Sequence, residues 1–116
     1  MTMTNEQPSL KEVFQMIDAA LKSAPAVTEG KEGVYEFHIK DHGETYQMII
    51  DEEGPRALKG QEKDPQVTLT IKEAHFRDLV AGTLNPTAAF MGGKLKIKGN
   101  MGMALKLQSV LNSFTF

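Results

Sequence analysis

Between Asn85 and Leu107 the chain reads NPTAAFMGGKLKIKGNMGMALKL, where glycines 92, 93, 99 and 102 stand among lysines 94, 96, 98 and 106. Glycine beside lysine is the composition that phosphate binding uses, because small residues let backbone amides close on an oxyanion and lysine supplies the charge. The phosphate loop of nucleotide hydrolases needs a glycine five residues ahead of a Gly-Lys pair and a Ser or Thr behind it. Here Ala88 and Leu95 hold those places. The dinucleotide fingerprint fails as well, since Gly99-Asn100-Met101-Gly102 lacks a G-x-G and does not open a strand-to-helix turn with a downstream acid. The stretch is not a phosphate loop.

Other reactive side chains assemble no better. His38 and His42 are four apart, a spacing that converges on a metal only on a helix, and the strand pattern around them makes them exposed polar residues. Asp51, Glu52 and Glu53 precede Gly54-Pro55, the composition of a solvated turn. Serines 9, 23, 109 and 113 sit in no nucleophile-elbow motif. The absence of cysteine removes disulfides, thiolate nucleophiles and thiolate-held metals together, and suits a reducing compartment. No catalytic residue, metal ligand or cofactor site is expected.

The chain has 116 residues, 41% of them hydrophobic, enough for one domain around one core. Its 13 basic and 15 acidic residues give no overall positive field, so a nucleic-acid partner is not expected and any basic patch is local. MTMTNEQPSL has neither the basic flank nor the apolar run of a signal peptide, and no apolar window approaches a membrane span. A cytoplasmic protein is the expectation, with residues 1–8 as a flexible tail.

The elements that would carry these residues are legible from periodicity. Ser9 and Glu12 have capping-box spacing, and Leu10, Val13, Phe14, Ile17 and Leu21 follow at helical intervals to about Ser23. After the connector APAVTEGKEG, Tyr35, Phe37 and Ile39 alternate along a strand, the turn Asp41-His42-Gly43 follows, and Tyr46, Met48 and Ile50 alternate along a second. RALKG is a weaker third strand at a sheet edge. Beyond the polar loop QEKDP, Val67, Leu69 and Ile71 mark a strand that runs into a helix carrying Phe76, Leu79 and Val80 and stopping at Gly82. Asn85-Pro86 starts a short helix, and Gly92-Gly93 ends it. KLKIKG sets Leu95 and Ile97 on one strand face and three lysines on the other. Asn100 caps a last helix with Met103, Leu107, Val110 and Leu111 on one stripe and Leu105 off it.

Two compositional features admit two readings each. Lys94, Lys96 and Lys98 either greet an acidic headgroup or coenzyme phosphates, or form a solvated strand face. Met91, Met101 and Met103, beside Phe90, either line a pocket for flexible apolar ligands or fill an ordinary core.

The segment GTLNPTAAFMGGKLKIKGNMGMALKLQSVL resembles the sterol carrier protein 2 family of lipid-transfer domains. The resemblance rests on Asn85-Pro86, Ala89-Phe90, Gly93-Lys94-Leu95, Ile97, Gly99-Asn100-Met101 and Lys106-Leu107. It extends more loosely over VTLTIKEAHFRDLVAG, the hairpin and the first helix. It implies an α+β fold: a five-stranded mixed, mostly antiparallel sheet, covered by helices on one face, with an apolar tunnel between sheet and helices. It also implies non-enzymatic binding and transfer of fatty acid, fatty acyl-CoA, sterol or phospholipid, with a terminal helix gating access. The lining implied is Met48, Phe76, Val80, Phe90, Met91, Met101, Met103, Leu107 and Leu111. The implied partners are a small lipid and, transiently, a membrane, for a monomer or weak dimer.

Two departures from the family pattern stand out. The chain ends Ser113-Phe114-Thr115-Phe116 where many members carry a Ser/Ala-Lys-Leu peroxisomal address, so import by that receptor is not expected. Lys72 stands where a Ser or Thr often caps the helix after the fourth strand, and a cap from Thr70 with Glu73 would compensate. Phe114 and Phe116 either close the pocket or fray. The competing reading is a partner-binding or dimerising accessory domain with a filled core.

Overall fold

Residues 8–114 are described by the structure, a computed structural model; most of the expected N-terminal tail, and Phe116, fall outside them. Ser9 opens α1 (Leu10–Ser23) with both halves of the capping box, its Oγ accepting from Glu12 N at 3.1 Å and Glu12 Oε1 accepting from Ser9 N at 2.9 Å. The five apolar residues read from periodicity are the buried stripe of α1. A 3₁₀ turn at Pro25–Thr28 leads into the sheet.

Five strands follow, β1 (Gly33–Ile39), β2 (Glu44–Ile50), β3 (Arg56–Lys59), β4 (Val67–Ile71) and β5 (Leu95–Gly99), in spatial order β3-β2-β1-β4-β5. Only the β1–β4 pairing is parallel. The weak third strand is indeed an edge, and Asp18 of α1 blunts it by accepting from Ala57 N at 2.9 Å. Cross-strand register puts Met48 and Tyr46 opposite Tyr35 and Phe37, these opposite Val67 and Leu69, and Leu69 opposite Ile97. Residues in register share a face, so period-two alternation in each strand sums to one apolar surface.

Helices α2 (Glu73–Ala81), α3 (Pro86–Met91) and α4 (Met101–Asn112) join α1 over that surface. This is the five-stranded mixed sheet with one helical face that the sequence implies. Gly82 ends α2 at φ +82°, a left-handed conformation that costs a residue bearing a Cβ about 1 kcal/mol or more. Asn85 and Asn100 cap α3 and α4 through their side-chain oxygens, as expected.

The α2 cap differs from expectation. Thr70 does not cap it and Lys72 offers no side-chain bond; instead Asp41 Oδ1, in the β1–β2 turn, accepts from Glu73 N at 2.9 Å. Thr70 lies within β4, where its direction is fixed by the ladder, whereas the parallel pairing of β1 with β4 brings the end of β1 beside the start of α2.

The opposite face of the sheet is also largely covered. The chain must pass from edge strand β3 across β2 and β1 to reach β4, and the QEKDP loop makes that crossing on the face away from the helices. Gln47, fully buried, pins it: Oε1 accepts from Glu62 N and Lys63 N at 2.9 and 3.2 Å, and Nε2 donates to Lys63 O and to Glu36 Oε1 at 2.7 and 2.8 Å. Gln61 Nε2 also donates to Glu36 Oε1, at 2.8 Å, and His38 Nε2 lies 2.6 Å from Glu36 Oε2. A buried carboxylate is tolerable here because neighbouring donors meet both its oxygens.

Candidate functional site

The space between the helices and the sheet is lined by apolar side chains on every element. At one end Phe14 of α1 stacks on Tyr46, with centroids 4.2 Å apart, and on Phe76 of α2, 5.2 Å away, while Phe37 meets Phe14 and Phe76 edge-on. Stacked and edge-to-face rings at these separations attract beyond their buried area. Elsewhere on the sheet the chemistry turns aliphatic and flexible. Met48 sits in β2 between Tyr35 and Ala57. Met103, on α4, packs its methyl so closely on Gly33 that a Cβ there would collide with it. Gly33 itself has φ +148°, and Gln66 Oε1 accepts from the neighbouring Val34 N at 2.7 Å. Glycine at 33 thus seats the first turn of α4 on the start of β1.

Of the nine residues in the implied lining, Met48, Phe76, Val80, Met103, Leu107 and Leu111 are brought together in this buried cluster. Phe90, Met91 and Met101 are not: they lie on the outside of α3 and α4, exposed by 40%, 81% and 45%. The helical period explains the division. In α3 the inward face is Pro86 and Ala89, three apart, so Phe90 and Met91 rotate outward. In α4 the stripe Met103, Ala104, Leu107, Val110, Leu111 faces in, and Met101 shares the outer face with Leu105, four residues on.

Polar groups in this interior are few, and the two phenols among them are satisfied. Tyr35 Oη donates to Lys31 O at 2.7 Å and Tyr46 Oη to Glu44 Oε1 at 2.8 Å. Burial foremost, with Glu32 near the first and Glu44 near the second, pushes both phenols up to about 12, so they stay protonated donors. His75 Nδ1 on α2 is buried without a hydrogen-bond partner among the described residues, and no carboxylate or hydroxyl there forms a dyad with it. Buried Glu36 and Gln47 belong to the other side of the sheet.

Sequence reasoning missed a charged cleft of about 280 Å³ where the start of α1 meets the β1–β2 turn and α2. Glu73 there pairs with Arg77 at 2.7 Å and with His42; Glu44 pairs with Lys59 at 3.2 Å. Arg77 first, then His42, holds the Glu73 carboxyl below its usual range, and the Tyr46 hydroxyl does the same for Glu44. An adjoining cleft of about 200 Å³ shares Lys11, Tyr46 and Lys59 and touches Phe14, so the aromatic cluster is approached from outside at the seam between α1 and β3. The residues come from four separate segments, and no local motif announces them.

The sequence pattern of the SCP-2 sterol transfer family matches residues 11–112. The chain belongs to that family. It is 37% identical over 82 residues, 67% of its length, to human sterol carrier protein 2, of which it covers 15%. Among solved structures, the sterol carrier protein domain 2 of Helicoverpa armigera superposes with a TM-score of 0.74 at 26% identity, covering 94% of each chain. Palmitated SCP2L2 from Aedes aegypti superposes with a TM-score of 0.67 at 25% identity, covering 94% of this chain and 99% of that one. The chain spans between 15% and 25% of the length of the curated relatives it matches first.

Proposed function

We propose that the chain, as one unit, is a non-enzymatic lipid carrier that receives a fatty acid, fatty acyl-CoA, sterol or phospholipid between its helices and its sheet. Met48, Phe76, Val80, Met103, Leu107 and Leu111 wall the site, and the half-covered Phe90 and Met101 meet the lipid at its mouth. The observation that carries this reading is an interior whose walls are apolar on every element and hold two methionines on opposite sides, one on the sheet and one on α4. Burying a methylene chain there gains about 0.8 kcal/mol per CH₂, whatever the shape of the tail, which gives affinity with little selectivity. The palmitated state of the mosquito relative supports the same ligand class.

Release follows from how α4 is held. No side chain on Met101–Asn112 hydrogen-bonds to another element among the described residues, so α4 is attached by non-directional packing and can slide to admit a chain. A role without catalysis of its own belongs to this reading. No metal or cofactor has a part in this reading, and a cytoplasmic location with transient membrane contact belongs to it. Native mass spectrometry of the purified protein with a fluorescent fatty-acid titration tests it. Saturable binding at one lipid per chain is expected; no retained lipid and no saturable signal would refute it.

A second reading, an accessory domain with a filled core, is favoured by the close ring packing around Phe14 and by the small share of the curated relatives that the chain spans. A ligand-free interior that excludes fatty acids, with the fold intact, would establish it.

A further inference from the structure

Charge is unevenly distributed along this chain. From Leu79 to Phe116 there is no Asp or Glu, and the four charged residues are Lys94, Lys96, Lys98 and Lys106; all 15 acids lie before that point, with the other nine cations. None of these four lysines has a carboxylate partner within 4 Å among the described residues. Four of the five exposed large hydrophobic residues of the described chain occupy the same region: Phe90, Met91, Met101 and Leu105, the last exposed by 53%. The fold gathers these groups, because α3 and α4 pack on each other and both on β5. Lys94 N donates to Ala89 O at 2.8 Å, which keeps the lysine beside the end of α3, and Lys106 directly follows Leu105. Lys96 and Lys98 alternate with the core residues Leu95 and Ile97, so they stand on the face of β5 away from the helices and take no part in this surface.

We infer that the outer surface of α3 and α4, with the Lys94 turn, is a docking face for an anionic lipid bilayer. The inference rests on the lipid-carrier reading and names the surface and membrane class that serve it. Exposed apolar side chains set among cations, with no acid in the segment, match a membrane boundary: the apolar groups enter between headgroups while the lysines reach lipid phosphates and carboxylates. Met101 and Leu105 stand on the outer side of α4, whose inner side closes the interior, so docking places the bilayer against the element that must move for a lipid to pass. Flexible methionines adapt to the disordered headgroup boundary as they would to any irregular apolar partner.

The test is flotation of the full chain with vesicles of phosphatidylcholine alone and of phosphatidylcholine with about 30 mol% phosphatidylserine. Binding is expected only to the anionic vesicles and is expected to fall steeply in 0.5 M salt. At about fivefold per lysine, the Lys94→Gln/Lys106→Gln variant loses roughly 25-fold in partitioning. Met91→Ser/Leu105→Ser is expected to lose a similar amount. Both variants keep fluorescent fatty-acid binding in vesicle-free solution, so docking and carriage fail separately. Equal binding to neutral vesicles, no binding to either, or unchanged partitioning of both variants would overturn the proposal. So would sedimentation equilibrium showing a dimer that Met91→Ser/Leu105→Ser dissociates, since a second copy would then be the occupant.

Discussion

The carboxylate of Asp41, in a hairpin turn, caps a helix that begins 32 residues later by accepting a hydrogen bond from Glu73 N at 2.9 Å. The bond satisfies an amide in the first turn of α2 and places a negative charge at that helix's positive end. It holds the Asp41 carboxyl below its ordinary 3.8, chiefly through that amide. A carboxyl depressed on folding stabilises above its unfolded value and loses that contribution as pH falls through the folded one. Asp41→Ala is expected to lower Tm at pH 7, and thermal melts as a function of pH should show the difference from the wild type closing below 3.8.

Asp51 extends the same argument to the other end of the hairpin. Arg56 at 2.9 Å, and then Lys63 at 2.7 Å, hold its carboxyl far below 3.8. Asp51→Asn should therefore melt earlier than the wild type at neutral pH and converge with it in strong acid, over a wider and more acidic range than Asp41→Ala. Added salt at pH 7 should narrow the gap, because the pairs are partly exposed.

Gln47 predicts a local effect rather than a titration. Replacing it with Ala strips one donor from buried Glu36 and the acceptor from two loop amides. The expected cost is about 2–4 kcal/mol in denaturant unfolding, with amide exchange at Glu62 and Lys63 accelerated more than in α1.

Phe14→Ala and Met103→Asp separate folding from carriage. Phe14 touches three other rings, and its truncation should cost about 3–5 kcal/mol by calorimetry. Met103→Asp places a charge on the wall of the proposed site. It should abolish fatty-acid uptake at a modest cost in Tm, whereas a close-packed core would lose several kcal/mol in stability.

Elements with strong local signals were legible from the sequence: the Ser9–Glu12 box, the alternation of Tyr35, Phe37 and Ile39, and the asparagine caps all formed as read. Long-range polar contacts were not. The cap from Asp41 and the four bonds of Gln47 join segments distant in sequence, and only the β1–β4 pairing and the crossing over the back of the sheet create them. The candidate lining divided for a different reason. Apolar composition marked Phe90, Met91 and Met101 alongside Met103 and Leu107, but the rotation of two short helices decides which of them face inward.

The central claim, a lipid held between sheet and helices, is tested most directly by the methyl resonances of the methionines. In the protein labelled at the methionine methyl carbon and titrated with palmitate, Met48 and Met103 should shift together and saturate at one equivalent, with Met16 on the outer surface of α1 unchanged. Unchanged Met48 and Met103 signals at saturating palmitate would contradict the account.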